Sequence, residues 1–256
     1  MRRGVVVRRL VVSDIHGYAR SLAKLLERVG YRPGADRLYL LGDFVDRGPD
    51  GRGAVELVMD LVRGGAVALL GNHEELLLKV IAGDPDPVAA AVDWVLNGGL
   101  ATLASYGVAV PDAEAVLQFF PEHVARMAQE SIPPDHVEFL ASLPLYHEED
   151  EYLFVHAGLE PGVPLAEQSR DALLWGRDPA FWVHPAPYGD KTVVFGHTPT
   201  PVLLGMIGAV RGPEAVVEPW FGPKKVAVDT GVYATGVLAA VELPDRFTVV
   251  TSSAPG

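Results

Sequence analysis

Six residues able to ligate divalent cations recur at the same kind of place. Asp14, His16, Asp43, Asn72, His156 and His197 each close a short Val- or Leu-rich run with glycine close by. They offer oxygen and nitrogen but no sulfur, a set suited to Mn, Fe, Zn or Mg rather than Cu(I) or an iron–sulfur cluster. Asp14 and His16 flank one residue, so at an extended strand end both can face the same way. Asp43 suits a bridging role, because a carboxylate can hold one metal with each oxygen. Two metals about 3.5–4 Å apart form a clamp for in-line displacement at phosphorus. Singly, each residue has a plainer reading: an Asp after a strand is often a helix N-cap, and a lone His is often structural. The ordered set is what argues for a metal centre.

Strands must deliver these residues. The apolar runs at 10–12, 38–41, 67–70, 152–155, 192–195 and 226–228 are short and bounded by turn residues, which predicts buried strands. Polar residues just past strand ends are where open α/β sheets gather their sites. Apolar periodicity over 18–29 and 52–62 predicts helices between the first three strands, giving a parallel β-α-β-α-β unit. From 74 to about 143 the pattern is nearly all helix, in segments near 75–81, 87–96, 100–106, 114–119, 123–130 and 135–143. This is a helical insertion, either a plain subdomain or a wall or lid over the site. The tail reads as strands near 202–207, 225–228, 236–243 and 247–251, with loops at 160–164 and 212–223. The run 147–151 reads as a solvated acidic turn, and His123, His136, His147 and His184 as structural.

The 256 residues, 49% hydrophobic and 21% charged, can bury a substantial core. There is no cysteine, so thiolate metal sites and cysteine nucleophiles are excluded, and a reducing compartment fits. A formal charge of −12 argues against nonspecific nucleic-acid binding, which depends on Lys and Arg. Residues 1–7 briefly resemble a signal peptide, but Arg8-Arg9 interrupts the apolar run and the first ligand motif follows at once. No stretch reaches the roughly 18 apolar residues of a membrane span, so no membrane partner is expected and the cytoplasm is the default location.

Asp14-Ile15-His16-Gly17, Gly42-Asp43-Phe44-Val45-Asp46-Arg47-Gly48, Gly71-Asn72-His73-Glu74, His156-Ala157-Gly158 and Gly196-His197-Thr198-Pro199 resemble the signature blocks of the phosphoprotein phosphatase family of calcineurin-like metallophosphoesterases. Leu174-Trp175-Gly176-Arg177-Asp178 looks like that family's bacterial and phage branch. With Asp229-Thr230-Gly231, which matches a further block, they span residues 14 to 231. The resemblance implies one α/β domain over 1–256, a four-layer α/β/β/α sandwich with the helical insertion. It implies a first metal on Asp14, His16 and Asp43, and a second on Asp43, Asn72, His156 and His197. Mn²⁺ is the favoured ion, with Fe or Zn²⁺ also compatible. It further implies water activated by the metals as nucleophile, His73 as general acid, Asp46 orienting His73, and Arg47 and Arg177 holding phosphate. Asp229 is expected to brace the site rather than bind metal. Asn97-Gly98-Gly99 is a helix stop that could line the pocket.

The resulting expectation is a phosphomonoester hydrolase of the protein serine/threonine phosphatase type, acting on a phosphorylated protein or small phosphoester. The alternative is a symmetrical dinucleoside-polyphosphate hydrolase. Such enzymes share most of these blocks but commonly lack an acid at the place of Asp46. Pro199 stands where looser metallophosphodiesterases usually carry a further His. An inactive binding module would be expected to lack a ligand or His73, and neither is missing. Oligomeric state is not encoded in any of these features.

Overall fold

Leu10, Val11 and Val12 are consecutive and all buried, yet they enter two different cores. Successive strand residues point to opposite faces, so a run buried throughout needs cover on both sides. The computed structural model describes residues 7–83, 86–110, 114, 121–183, 190–209 and 217–251. The first part contains β1 (Arg9–Val12), α1 (Ala19–Arg28), β2 (Arg37–Leu40), α2 (Gly51–Arg63) and β3 (Val67–Ala68). Then come α3 (Asn72–Ala82), α4 (Pro87–Leu96), α5 (Gly99–Ser105), α6 (Pro121–Ser131) and α7 (Pro134–Ala141). The third part holds β4 (Tyr146–Glu149), β5 (Tyr152–Val155), α8 (Arg170–Trp175), α9 (Pro179–Val183), β6 (Thr192–Phe195) and α10 (Thr200–Met206). The chain closes with β7 (Trp220–Gly222), β8 (Lys225–Ala227), α11 (Val232–Thr235), β9 (Val237–Glu242) and β10 (Arg246–Thr251).

Two five-stranded sheets result, in the orders β10-β9-β1-β2-β3 and β4-β5-β6-β8-β7. In the first, β1, β2 and β3 are parallel while β9 and β10 run antiparallel. In the second, β5, β6 and β8 are parallel, with antiparallel β4 and β7 at the edges. Leu10 and Val12 face α1 and α2, packing with Leu22, Leu25, Val55 and Val58. Val11, Tyr39 and Leu41 face the other sheet and meet Phe154, Val194 and Val226. The Tyr39 and Phe154 rings stack across that seam at 3.9 Å. Leu153, Val155 and Phe195 turn outward to Leu173, Phe181 and Leu203. The layers are therefore helix, sheet, sheet, helix, the four expected. Each such side chain, fully buried, contributes about 1.5–3 kcal/mol. The six candidate ligands follow five strands, β1, β2 and β3 in one sheet and β5 and β6 in the other, where Asp229 follows β8.

Helices appear over most of the expected insertion, and α4 and α5 enter the main core through Trp94, Val95 and Leu103. The segment expected at 114–119 lies almost wholly outside the described residues, and His184 lies outside them. Among the described residues no single helix is long and apolar enough to cross a membrane.

Three expectations need correction. Residues 202–206 belong to helix α10, with Ile207 at its C-cap, and not to a strand, because Pro201 in the first turn is compatible with a helix start and Thr200 N is taken by Asp229 O at 2.8 Å. Part of the loop expected at 212–223 is strand β7, paired with β8. The run 147–151 is not simply a solvated turn. His147–Glu149 lie in β4, and Glu149 accepts from Arg9 (3.3 Å), Arg37 and Tyr39 of the opposite sheet. Only Asp150 and Glu151 form the turn.

Candidate metal centre

Every ligand-bearing strand ends at the same edge of the two-sheet stack, and the chain there bends sharply. Of the eight described non-glycine residues with positive φ, six are site residues: Asp14 (54°), His16 (45°), Asp43 (56°), Asp46 (67°), Arg47 (68°) and His197 (65°). Such backbone costs about 1–3 kcal/mol per residue and persists where surroundings over-determine it. Here they do. Asp14 N and His16 N donate to Gly42 O (3.1 Å) and Asp43 O (2.8 Å), tying the first two loops together. Glu74 is buried beneath them and accepts from Asp43 N (2.8 Å), Phe44 N (2.7 Å), Val45 N (3.2 Å) and Gly71 N (3.0 Å). Gly71 admits no side chain, since a Cβ would run into Asp43.

Asp43 has one oxygen on each side of the centre. Its Oδ1 is 3.5 Å from His156 Nε2, and its Oδ2 is 3.7 Å from His16 Nε2 and 3.9 Å from His73 Nε2. His156 Nδ1 sits 2.7 Å from Leu41 O and so donates to it, leaving the Nε2 lone pair facing inward. That lone pair lies 2.9 Å from Asn72 Oδ1 and 3.2 Å from His197 Nδ1, itself 2.8 Å from Asn72 Oδ1. His16 is oriented the same way, with Nδ1 on Val45 O at 3.0 Å. Two groups of atoms thus draw within 4.8 Å of one another: His16, Asp43 and His73, and Asp43, His156 and His197.

Asp14 stands beside these groups rather than inside them. Its Oδ2 accepts from His197 N (2.9 Å) and from Ser13 Oγ. Burial, together with the charges of Asp14 and Glu74, pushes the Asp43 carboxyl well above the usual range. Burial and Asp14 do the same to Asp229, whose Oδ1 takes Gly231 N at 2.6 Å. Asp229 thus holds the turn into Gly231. His16 is held well below its ordinary pKa by burial, then by His73 and Arg47. Burial lowers His156 and His197 too, and His156 and Arg177 further lower His197. Buried carboxylates crowding neutral imidazoles, with lone pairs converging on common centres, fit divalent cations and are costly without them.

Beside this cluster His73 Nδ1 lies 2.8 Å from Asp46 Oδ2. Asp46 also receives Trp94 Nε1 (3.0 and 3.1 Å) and Thr102 Oγ1 (2.6 Å). Thr102 Oγ1 accepts Asp46 N at 2.9 Å, so its own proton goes to the carboxylate. Trp94 and Thr102 come from α4 and α5, which makes the insertion a fixed wall of the site. Burial raises Asp46 to about 7 against these donors and holds His73 well below its ordinary value.

Arg47 reaches the centre, with Nη1 3.0 Å from His16 Nε2 and its guanidinium 4.3 Å from the Tyr233 ring centroid. Gly98 (φ 96°) brings its carbonyl to Arg47 N at 3.2 Å, and a Cβ there would press on the Arg47 side chain. The Asn97-Gly98-Gly99 stop is thus part of the site wall. Arg177 is exposed but close enough for its charge to lower His73, His156 and His197. Among the described residues it forms no ion pair with Asp178, whose Oδ1 accepts Ala180 N instead (2.8 Å). A cavity of about 380 Å³ adjoins Arg177, lined by Gly158, Leu159, Asp171, Trp175 and Phe181. His136 pairs with Tyr106 OH at 2.7 Å and takes no part in the centre.

Ser13, Glu74, Trp94 and Thr102 were not singled out from sequence as site residues. Glu74 alone left a local signal, as an acid in the first turn of a helix opening on glycine. The others act through tertiary contacts that no spacing announces.

Comparison with known proteins agrees with this arrangement. The symmetrical bis(5'-nucleosyl)-tetraphosphatase of Dechloromonas aromatica is 31% identical over 188 residues, covering 67% of this chain and 57% of that protein. The chain thus spans little more than half the length of that relative. The asymmetrical bis(5'-nucleosyl)-tetraphosphatase PrpE of Bacillus cereus is 28% identical over 274 aligned positions, covering 96% of this chain and 94% of its own. A crystal structure provisionally assigned as a diadenosine tetraphosphatase superposes with a TM-score of 0.62 at 24% identity, covering 98% of this chain and 96% of that one, which supports the fold. The family model for calcineurin-like phosphoesterases matches residues 7–230. On that match, and on a centre built from the same blocks, the chain belongs to the calcineurin-like phosphoesterase family.

Proposed function

We propose that this chain is a metal-dependent hydrolase of dinucleoside polyphosphates. The observation carrying this reading is its alignment with a bis(5'-nucleosyl)-tetraphosphatase over 94% of that protein's length. The symmetrical relative supports the same substrate class. Support for a phosphoprotein substrate is weaker, resting on the sequence blocks and the His73–Asp46 pair.

Asp14, His16 and Asp43 would hold one cation, and Asp43, Asn72, His156 and His197 the other, with Mn²⁺ the favoured ion. When bound, such cations polarise the phosphate and provide a nucleophile at neutral pH. The remaining chemistry falls to the chain. Arg47 and Arg177 would bind nonbridging phosphate oxygens, for which a planar guanidinium is well shaped. Attack at phosphorus forms one P–O bond and breaks the opposite one. His73 would act as imidazolium, the form that an adjacent anionic phosphate favours against burial: Nε2–H goes to a departing oxygen that needs a proton, while Asp46 accepts from Nδ1.

The His73–Asp46 pair favours a second reading, phosphomonoester hydrolysis. An alcohol leaves poorly without a proton, whereas a nucleotide leaves as a phosphate that ionises near pH 6, about what a second phosphate ionisation requires. The two readings separate in one assay. Metal-free protein reconstituted with Mn²⁺ is given diadenosine tetraphosphate and phosphoserine peptides side by side. The proposal predicts a kcat/KM at least about tenfold higher for the dinucleotide. Preference for the peptides overturns it. Product analysis, AMP plus ATP against two ADP, identifies which phosphate is attacked.

A further inference from the structure

We infer that the cavity between the β5 loop and α8–α9 is the subsite for one nucleoside of the substrate. The inference rests on the dinucleotide reading and extends it to a place in the fold.

The cavity adjoins the metal centre at two points. Gly158 on its wall is two residues past His156, and Trp175 lies edge-on to His197 at 6.1 Å between ring centroids. Arg177 belongs to both regions, lining the cavity while its charge acts on His73, His156 and His197. A ligand whose phosphate meets Arg177 therefore has this cavity beside it for whatever the phosphate carries.

The lining is suited to a nucleoside. Its volume, about 380 Å³, falls in the roughly 300–1,000 Å³ range of small-molecule sites. Trp175, partly exposed, gives it an aromatic wall beside the buried Phe181, and is held in place by Nε1 donating to Glu75 Oε2 at 3.1 Å. Glu75 is in turn fixed by Arg170. Bases stack on such surfaces. Asp171 and Asp178 also line the cavity, and neither forms an ion pair among the described residues. Carboxylates repel further phosphates but accept hydrogen bonds from ribose hydroxyls or an exocyclic amine. The cavity thus selects the uncharged end of a nucleotide and leaves the phosphates to the two arginines.

Inhibition of p-nitrophenyl phosphate hydrolysis tests this in the Mn²⁺-loaded protein. Inorganic phosphate reports the centre alone, and AMP reports the centre plus the cavity. AMP is expected to inhibit about tenfold more tightly than phosphate, the increment of one stacked base. Ala172 also lines the cavity, and Ala172→Phe, which fills it, should shrink the ratio of the two inhibition constants at least about fivefold. Asp171→Ala, a smaller change that carries the test if the first variant misfolds, should shrink it about threefold. AMP no tighter than phosphate, a ratio untouched by both variants, or phosphotyrosine binding as tightly as AMP would each overturn the inference. Failure to cleave diadenosine tetraphosphate despite cavity-dependent AMP binding would instead sink the functional reading and leave the subsite standing.

Discussion

His73 and Asp46 face each other at 2.8 Å, both buried, and the carboxylate is tied to the insertion helices through Trp94 and Thr102. A proton transfer through His73 would thereby be coupled to helices that sequence could read as a detachable subdomain. The donors around Asp46 keep it an acceptor toward His73 Nδ1, and the other ring nitrogen points toward Asp43 at 3.9 Å.

Leaving-group dependence exposes the role of His73. His73→Asn should lower kcat on an alkyl phosphate by about 10²–10⁴-fold. The loss should be much smaller on p-nitrophenyl phosphate and on a dinucleotide, whose leaving groups need little protonation. Bound metal, measured by elemental analysis, should stay at the wild-type level. Because His73 shares a cation-sized group with His16 and Asp43, loss of an ion on substitution would identify it as a ligand instead.

Thr102→Val removes a donor to Asp46 Oδ1 and the acceptor of Asp46 N together. A buried polar group left unpartnered costs about 1–3 kcal/mol, a loss that urea unfolding should show. Turnover of an alkyl phosphate should fall by about tenfold, because His73 loses its fixed partner. Unchanged turnover with lowered stability would confine Thr102 to packing.

Glu74→Gln should do more damage than its isosteric shape suggests. Both Glu74 oxygens accept backbone amides of the Asp43 loop and Gly71. The glutamine NH₂ would oppose two of those donors, at about 1–3 kcal/mol for each orphaned amide. Lower unfolding free energy with weaker Mn²⁺ affinity is expected, and a variant matching wild type in both contradicts this anchoring role.

Stability in acid should depend on Asp36, remote from the site. Arg32, through its side chain, and then Arg8 (2.7 Å) hold its carboxyl well below the usual range. A lowered folded-state pKa stabilises above the unfolded value, about 3.9, and that stabilisation disappears as the pH falls toward the folded one. Asp36→Asn should cost roughly 1–2 kcal/mol at pH 7, modest because Arg32 is exposed. The gap to wild type should close between about pH 5 and pH 2. A gap independent of pH would show that the ion pairs contribute nothing.

The parts readable from sequence were those whose cause is local. Asp14, His16, Asp43, Asn72, His156 and His197 stood out because a site at strand ends needs tight turns, and glycine marks them. Insertion helices such as α4 and α7 were legible from Pro at their starts. Residues 202–207 were misread because a short apolar run has no period that separates strand from helix. Glu149 looked like solvent-facing acid because its partners Arg9, Arg37 and Tyr39 are 110 to 140 positions away, on a sheet that exists only after folding. Trp94 and Thr102 were silent for the same reason. Their link to Asp46 spans 48 and 56 positions and leaves no local pattern.

The central claim is that Asp43 joins two cations in one centre on which catalysis depends. Metal content and turnover, measured together on chelator-stripped protein titrated with Mn²⁺, test it most directly. The account predicts activity rising to a plateau at two ions per chain, and Asp43→Ala binding no more than one ion with kcat reduced at least about 10³-fold. Full turnover by the stripped protein, or by Asp43→Ala, would contradict it.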